Sequence, residues 1–117
     1  MTHPNRYHLI VDIQPCGRRD ITAEFLDASL RELSALIHMK VLSGPHVVDG
    51  VEANPGFTGF VIIDFSHISI HTFSDHDLVM VDIFSCKEFA PETVVAYLSD
   101  LFQVNRDATS SKVVAWG

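Results

Sequence analysis

Cysteine is nearly absent: Cys16 and Cys86 are the only two in 117 residues, far apart and in no C-x-x-C pair. No disulfide framework follows from them, so a reducing interior is the default. Basic residues are scarce too, eight Lys plus Arg against fifteen Asp plus Glu, for a formal charge of −7. Neutralising phosphates needs a basic stripe, and its lack excludes a nucleic-acid surface; a cationic small molecule is the better-matched partner. No apolar run approaches the ~18 residues of a membrane span. "MTHPNRYHLI" is polar where a signal peptide needs its apolar core,. The expectation is a cytoplasmic protein without membrane contact.

What remains is an ordinary globular composition, 47% hydrophobic and 20% charged, at a length that suits one domain over residues 1–117,. "YHLIVDI" is β-rich and stops at Pro15-Cys16-Gly17, which predicts a first strand and a turn,. From Asp20, a candidate N-cap, the residues Ile21, Phe25, Leu26, Leu30, Leu33 and Ile37 recur at helical spacing,. Gly44-Pro45 and Asn54-Pro55-Gly56 bracket "HVVDGVEA" as a short strand between turns,. "GFVIID" and "LVMVDIF" read as central strands. A second helix starts near Ala90, with Pro91 in its first turn and a stripe of Val94, Val95, Leu98, Leu101 and Phe102; "SKVVAWG" reads as a last strand,.

Strand, helix, three or four strands, helix, strand has too little alternation for a doubly wound sheet. It predicts an α+β fold, a two-layer sandwich whose mainly antiparallel sheet carries two helices on one face. The other sheet face is then partly apolar and needs cover, which a homodimer would supply.

One stretch, "SHISIHTFSD" (Ser66 to Asp75), is unusually rich in histidine and hydroxyl groups. Strand alternation puts His67, Ser69, His71 and Phe73 on one face and Ser66, Ile68, Ile70 and Thr72 on the other. An edge strand with one polar face is the plainest account. A zinc site built from His67, His71 and His76 suffers from spacing, since residues i and i+4 on a strand stand ~13 Å apart, so no metal is expected. A hydrolase using Ser66 or Ser69 with His71 and Asp75 or Asp82 lacks the G-x-S-x-G elbow.

A resemblance covers most of the chain. "FSHISIHTFSD" followed by "VDIFSCKE" resembles the processing-site and catalytic-cysteine segments of the bacterial and archaeal S-adenosylmethionine decarboxylase family, E-S-H-x-[ST]-I-H-T-[WF]-P-E and then D-x-[FY]-x-C-G. Thr58-Gly59 falls where the family has Ser-Gly, and "RYHLIVDIQPC" is similar to its first strand, with Asp12 where Glu is common.

The resemblance implies that the chain makes its own cofactor. The Ser66 hydroxyl would attack the Phe65 carbonyl, an N-to-O acyl shift would give an ester, and elimination would split the chain into 1–65 and 66–117. Ser66 would become a pyruvoyl group that forms a Schiff base with the substrate amine and draws electrons as CO2 leaves. Thr58 and His71 stand at the processing positions, which the chemistry requires because a serine hydroxyl is a weak nucleophile and the shift passes through an oxyanion. Cys86 stands at the proton-donor position, a task suited to a thiol. Phe65, Asp75 and Asp12 fall at substrate-binding positions, and Cys16 is structural. Strict alternation separates Ser66 from His71, so their cooperation would need Ser66 on a bulge or turn.

The chain departs from the pattern at Phe65 (Glu in the family), Ser74 (Pro) and Asp75 (Glu). The leading expectation is decarboxylation of S-adenosylmethionine for spermidine synthesis. The departures keep open the same mechanism on arginine or ornithine, and an unprocessed, non-catalytic homologue that binds a partner.

Overall fold

In the computed structural model, which describes residues 5–116, the chain runs β1 (Arg6–Ile13), α1 (Ala23–Leu36), β2 (Val41–Val51), β3 (Asn54–Ile63), β4 (Ser66–Phe73), β5 (Leu78–Ser85), α2 (Pro91–Leu101) and β6 (Thr109–Trp116). Short 3-10 turns at Ser74–His76 and Arg106–Ala108 follow β4 and precede β6. Residue 117, the end of the last expected strand, and residues 1–4 lie outside the described part. The strands form one six-stranded sheet in the order β2-β3-β4-β5-β1-β6, and every neighbouring pair is antiparallel. No helix among the described residues is long and apolar enough to cross a membrane.

The expected α+β sandwich is therefore present. Alternation sends Leu9, Val11, Ile13, Val61, Ile63, Ile68, Ile70, Val79, Val81 and Ile83 to one face. There they meet Leu26, Leu30 and Leu33 of α1 and Val94, Val95 and Leu98 of α2 in one buried cluster,. The opposite face carries His8, Ile10, Phe60, Ile62, His67, His71, Phe73 and Phe84, with Ile10 and Ile62 well exposed.

Several local expectations are corrected. The α1 N-cap is Thr22, whose Oγ1 accepts the Phe25 N–H at 3.1 Å. Asp20 is drawn away by Arg18, whose guanidinium reaches it at 2.8 Å and holds its carboxyl below the usual range,. Strand β2 is long, not short: it absorbs Gly44-Pro45 through register shifts against β3,. Asn54-Pro55-Gly56 opens β3, and the turn sits at Glu52-Ala53. The Ser66 stretch is not an edge strand, because β4 pairs with both β3 and β5 at the centre of the sheet.

Gly56 shows why this end of β3 is fixed. Its φ is +141°, and a Cβ there would stand 1.8 Å from the Thr72 carbonyl oxygen, while Phe57 N–H donates to Thr72 Oγ1 at 2.8 Å,. Gly56→Ala is expected to lower the unfolding free energy by at least about 2 kcal/mol in chemical denaturation. An unchanged midpoint would contradict this account of the β3–β4 register.

Candidate active site

The β3–β4 connection is a two-residue turn, Asp64-Phe65. Backbone bonds hold it against the segment after α1: Asp64 N–H donates to Lys40 O at 2.9 Å, and Lys40 N–H donates to Asp64 Oδ1 at 3.0 Å. Ser66 opens β4 with φ +148°, a conformation that costs a non-glycine residue about 1–3 kcal/mol,. Of the expected bulge or turn, it is the turn that is present: Ser66 follows it directly, and the pairing of β4 with both neighbours is unbroken from Ser66 onward. The local distortion lies in the Ser66 backbone itself.

Facing this turn is the end of β5. The Ser85 hydroxyl is fully buried, accepts the Lys87 N–H at 2.9 Å and donates to the Lys87 carbonyl at 2.6 Å. That fold of the chain presents Cys86 to the turn: its N–H donates to the Phe65 carbonyl oxygen at 2.9 Å, and its Sγ stands 3.7 Å from Ser66 Oγ. A carbonyl, an adjacent hydroxyl, a thiol and a backbone donor thus converge on the Phe65–Ser66 bond. The donor pulls electron density toward the Phe65 oxygen, where charge develops if the neighbouring hydroxyl attacks.

Thr58 and His71 form a second pair. They are directly opposed on β3 and β4, and Thr58 Oγ1 and His71 Nδ1 are 3.1 Å apart. Register extends this row across the sheet to Met80, Asp12 and Ser110. His71 lies five residues beyond Ser66 on β4, about 16 Å at ~3.3 Å per residue,. Within one chain the structure joins Ser66 to Cys86 and Thr58 to His71 but holds the two pairs apart. Asp75 lies farther still, exposed on the turn after β4.

His67 is stacked between Phe60 and Phe84, at centroid distances of 5.2 and 5.5 Å. Asp82 accepts from His8 at 2.9 Å, and the hydroxyl His71 meets belongs to Thr58, so no Ser-His-Asp chain of contacts forms. No group of three or more His, Cys, Asp or Glu side chains gathers among the described residues. Sequence reasoning missed Lys87 and the Cys86 backbone donor. The first was readable as a lysine where the family pattern closes on glycine; the second carries no side-chain signal.

The model of the S-adenosylmethionine decarboxylase family matches residues 7–112. The S-adenosylmethionine decarboxylase proenzyme of Clostridium botulinum (strain Hall, type A) is 32% identical over 97 residues, covering 80% of each chain. That of a Geobacillus species is 38% identical over 48 residues, 41% of this chain and 39% of the relative. The crystal structure of the adenosylmethionine decarboxylase from Aquifex aeolicus VF5 superposes with a TM-score of 0.77 at 23% identity, covering 97% of this chain and 91% of that one, a likeness of fold. None of these matches supports an arginine or ornithine substrate or a non-catalytic homologue.

The two thiols differ in surroundings. Cys16 is buried, and desolvation pushes its pKa up, whereas Cys86 is only half-buried,. A thiol-reactive disulfide reagent is expected to modify Cys86 in the native protein and Cys16 only on unfolding. Rapid native labelling of a Cys86→Ser variant would contradict this.

Proposed function

The chain belongs to the S-adenosylmethionine decarboxylase family, and from that premise we propose that it is a pyruvoyl-dependent decarboxylase of S-adenosylmethionine, made active by cleavage at Phe65–Ser66. The observation that carries the proposal is the Phe65 carbonyl, polarised by the Cys86 N–H at 2.9 Å and followed by a serine at φ +148°. These residues fit the formation of a pyruvoyl group. The attacked carbonyl already has one oxyanion donor, the nucleophile is its immediate neighbour, and relief of the Ser66 backbone favours breaking that link. Once formed, the group supplies an electron sink for decarboxylation.

The chain's own residues account for the other tasks. The Ser66 hydroxyl is the nucleophile, and Thr58 with His71 provide the donor and base that the acyl shift needs. In this reading Cys86 delivers a proton to the carbon that has lost CO2, a role supported by its Sγ standing 3.7 Å from Ser66 Oγ,. Asp12 and Asp75 add negative charge suited to a cationic substrate, with Asp75 as the acid for its ribose hydroxyls.

The ~16 Å between the two pairs favours a homodimer with shared sites. The histidine-rich and aromatic open face of the sheet needs cover. A two-fold partner packed on it with antiparallel strands would bring Thr58 and His71 of a second copy toward Ser66 and Cys86 of the first. Each half-site would then be completed by the other chain.

Two outcomes are expected. The protein releases CO2 from carboxyl-labelled S-adenosylmethionine and not from arginine or ornithine; Ser66→Ala is inert, and Cys86→Ala loses about 100-fold or more in kcat. Equal inertness of the wild type toward all three substrates would overturn the assignment. When a His71→Ala chain is co-expressed with a Ser66→Ala chain, the His71→Ala chain is cleaved, although it is not cleaved alone. Failure of that rescue would contradict sharing between copies.

A further inference from the structure

The mechanism above leaves one charged group beside the reacting bond without a task. Lys87 follows Cys86 directly, and its ammonium lies 5.3 Å from the centroid of the Phe65 ring. It also donates to the His38 carbonyl at the end of α1, at 3.3 Å. None of the ion pairs among the described residues involves Lys87. A cation is thus held against the side chain of the residue whose carbonyl is to be attacked, in a chain of net charge −7, with no carboxylate ion-paired to it among the described residues.

Resting on the processing reading, we propose that Lys87 is the counter-ion for the carboxylate that cleavage creates on Phe65. In the acyl shift, Ser66 Oγ bonds to the Phe65 carbonyl carbon and the C–N bond breaks, the freed nitrogen taking the hydroxyl proton. The oxyanion of that step is transient and already meets the Cys86 N–H, and the ester it leaves at Phe65 is neutral. In the elimination, the Ser66 Cα proton passes to the site base, its electron pair forms the Cα=Cβ bond, and the Cβ–Oγ bond breaks with its pair moving to oxygen. Phe65 departs as a carboxylate, a full negative charge absent from the precursor.

One donor already meets that position, and a second lies over the same residue's ring. The Cys86 N–H lies on one Phe65 oxygen from the start, and the Lys87 ammonium, flexible on its four-carbon stem, lies across the ring within the same residue's reach,. Lys87 therefore acts as a positioning and charge-balancing residue for the second step of processing and leaves the first unaided. It also keeps the new end of the 1–65 fragment docked, together with the bonds between Asp64 and Lys40.

The test separates the two steps. Full-length wild type, Lys87→Met and Lys87→Arg are incubated after purification, with and without hydroxylamine, which cleaves an ester but not an amide. Lys87→Met is expected to reach the ester normally, giving fragments promptly with hydroxylamine, yet to split spontaneously about tenfold or more slowly than wild type. Lys87→Arg, which keeps the charge, is expected to restore the rate, and circular dichroism checks that both variants are folded. Spontaneous splitting of Lys87→Met at the wild-type rate would overturn the proposal, as would equal slowing in Lys87→Arg. A wild type that never splits would instead defeat the processing reading itself, and this proposal with it.

Discussion

A single backbone hydrogen bond, from the Cys86 N–H to the Phe65 carbonyl, joins the two turns on which the proposed chemistry depends. It ties the β3–β4 connection to the end of β5, and both ends of the bond are fixed from behind. The buried Ser85 hydroxyl shapes one side, and the exchange of bonds between Asp64 and Lys40 secures the other. A net hydrogen bond of this kind contributes only about 1 kcal/mol to stability. Its larger consequence is direction, because it aims a donor at the one carbonyl that stands beside a strained serine and a half-buried thiol.

The sheet acts as a ruler for everything else. Unbroken pairing from Ser66 to Phe73 sets Thr58 opposite His71 and Ser66 opposite Ser85, so the distance between the two half-sites is a matter of strand rise,. One face is sealed by α1 and α2 over an aliphatic core, and the other keeps its histidines and phenylalanines uncovered. The proposed dimer answers both problems, the uncovered face and the divided site, with one symmetry operation.

How much was legible beforehand varied with the kind of signal. The apolar periodicity of Leu26, Leu30 and Leu33 announced α1, and the continuous runs around Ile62 and Val81 announced central strands, because burial on a regular element repeats in the sequence. Caps and turns were less readable. Asp20 and Thr22 are both good N-cap residues, and the choice was made by Arg18, a neighbour that competes for one of them,. Gly44-Pro45 looked like a boundary but became an irregularity inside β2, since pairing with β3 outweighed local preference,. The candidate residues Ser66, Thr58, His71 and Cys86 were named through the resemblance to the family, whose motif spacing they match. Their division into two separate pairs was not legible, because spacing along a chain carries no record of which strand stands opposite.

The most direct measurement is the intact mass of the purified protein after incubation. The account predicts two species, a fragment ending in the free carboxylate of Phe65 and a fragment beginning at position 66 that is lighter than a serine-started chain by the elements of ammonia. A single uncleaved chain, or a fragment that begins with an unmodified Ser66, would contradict it.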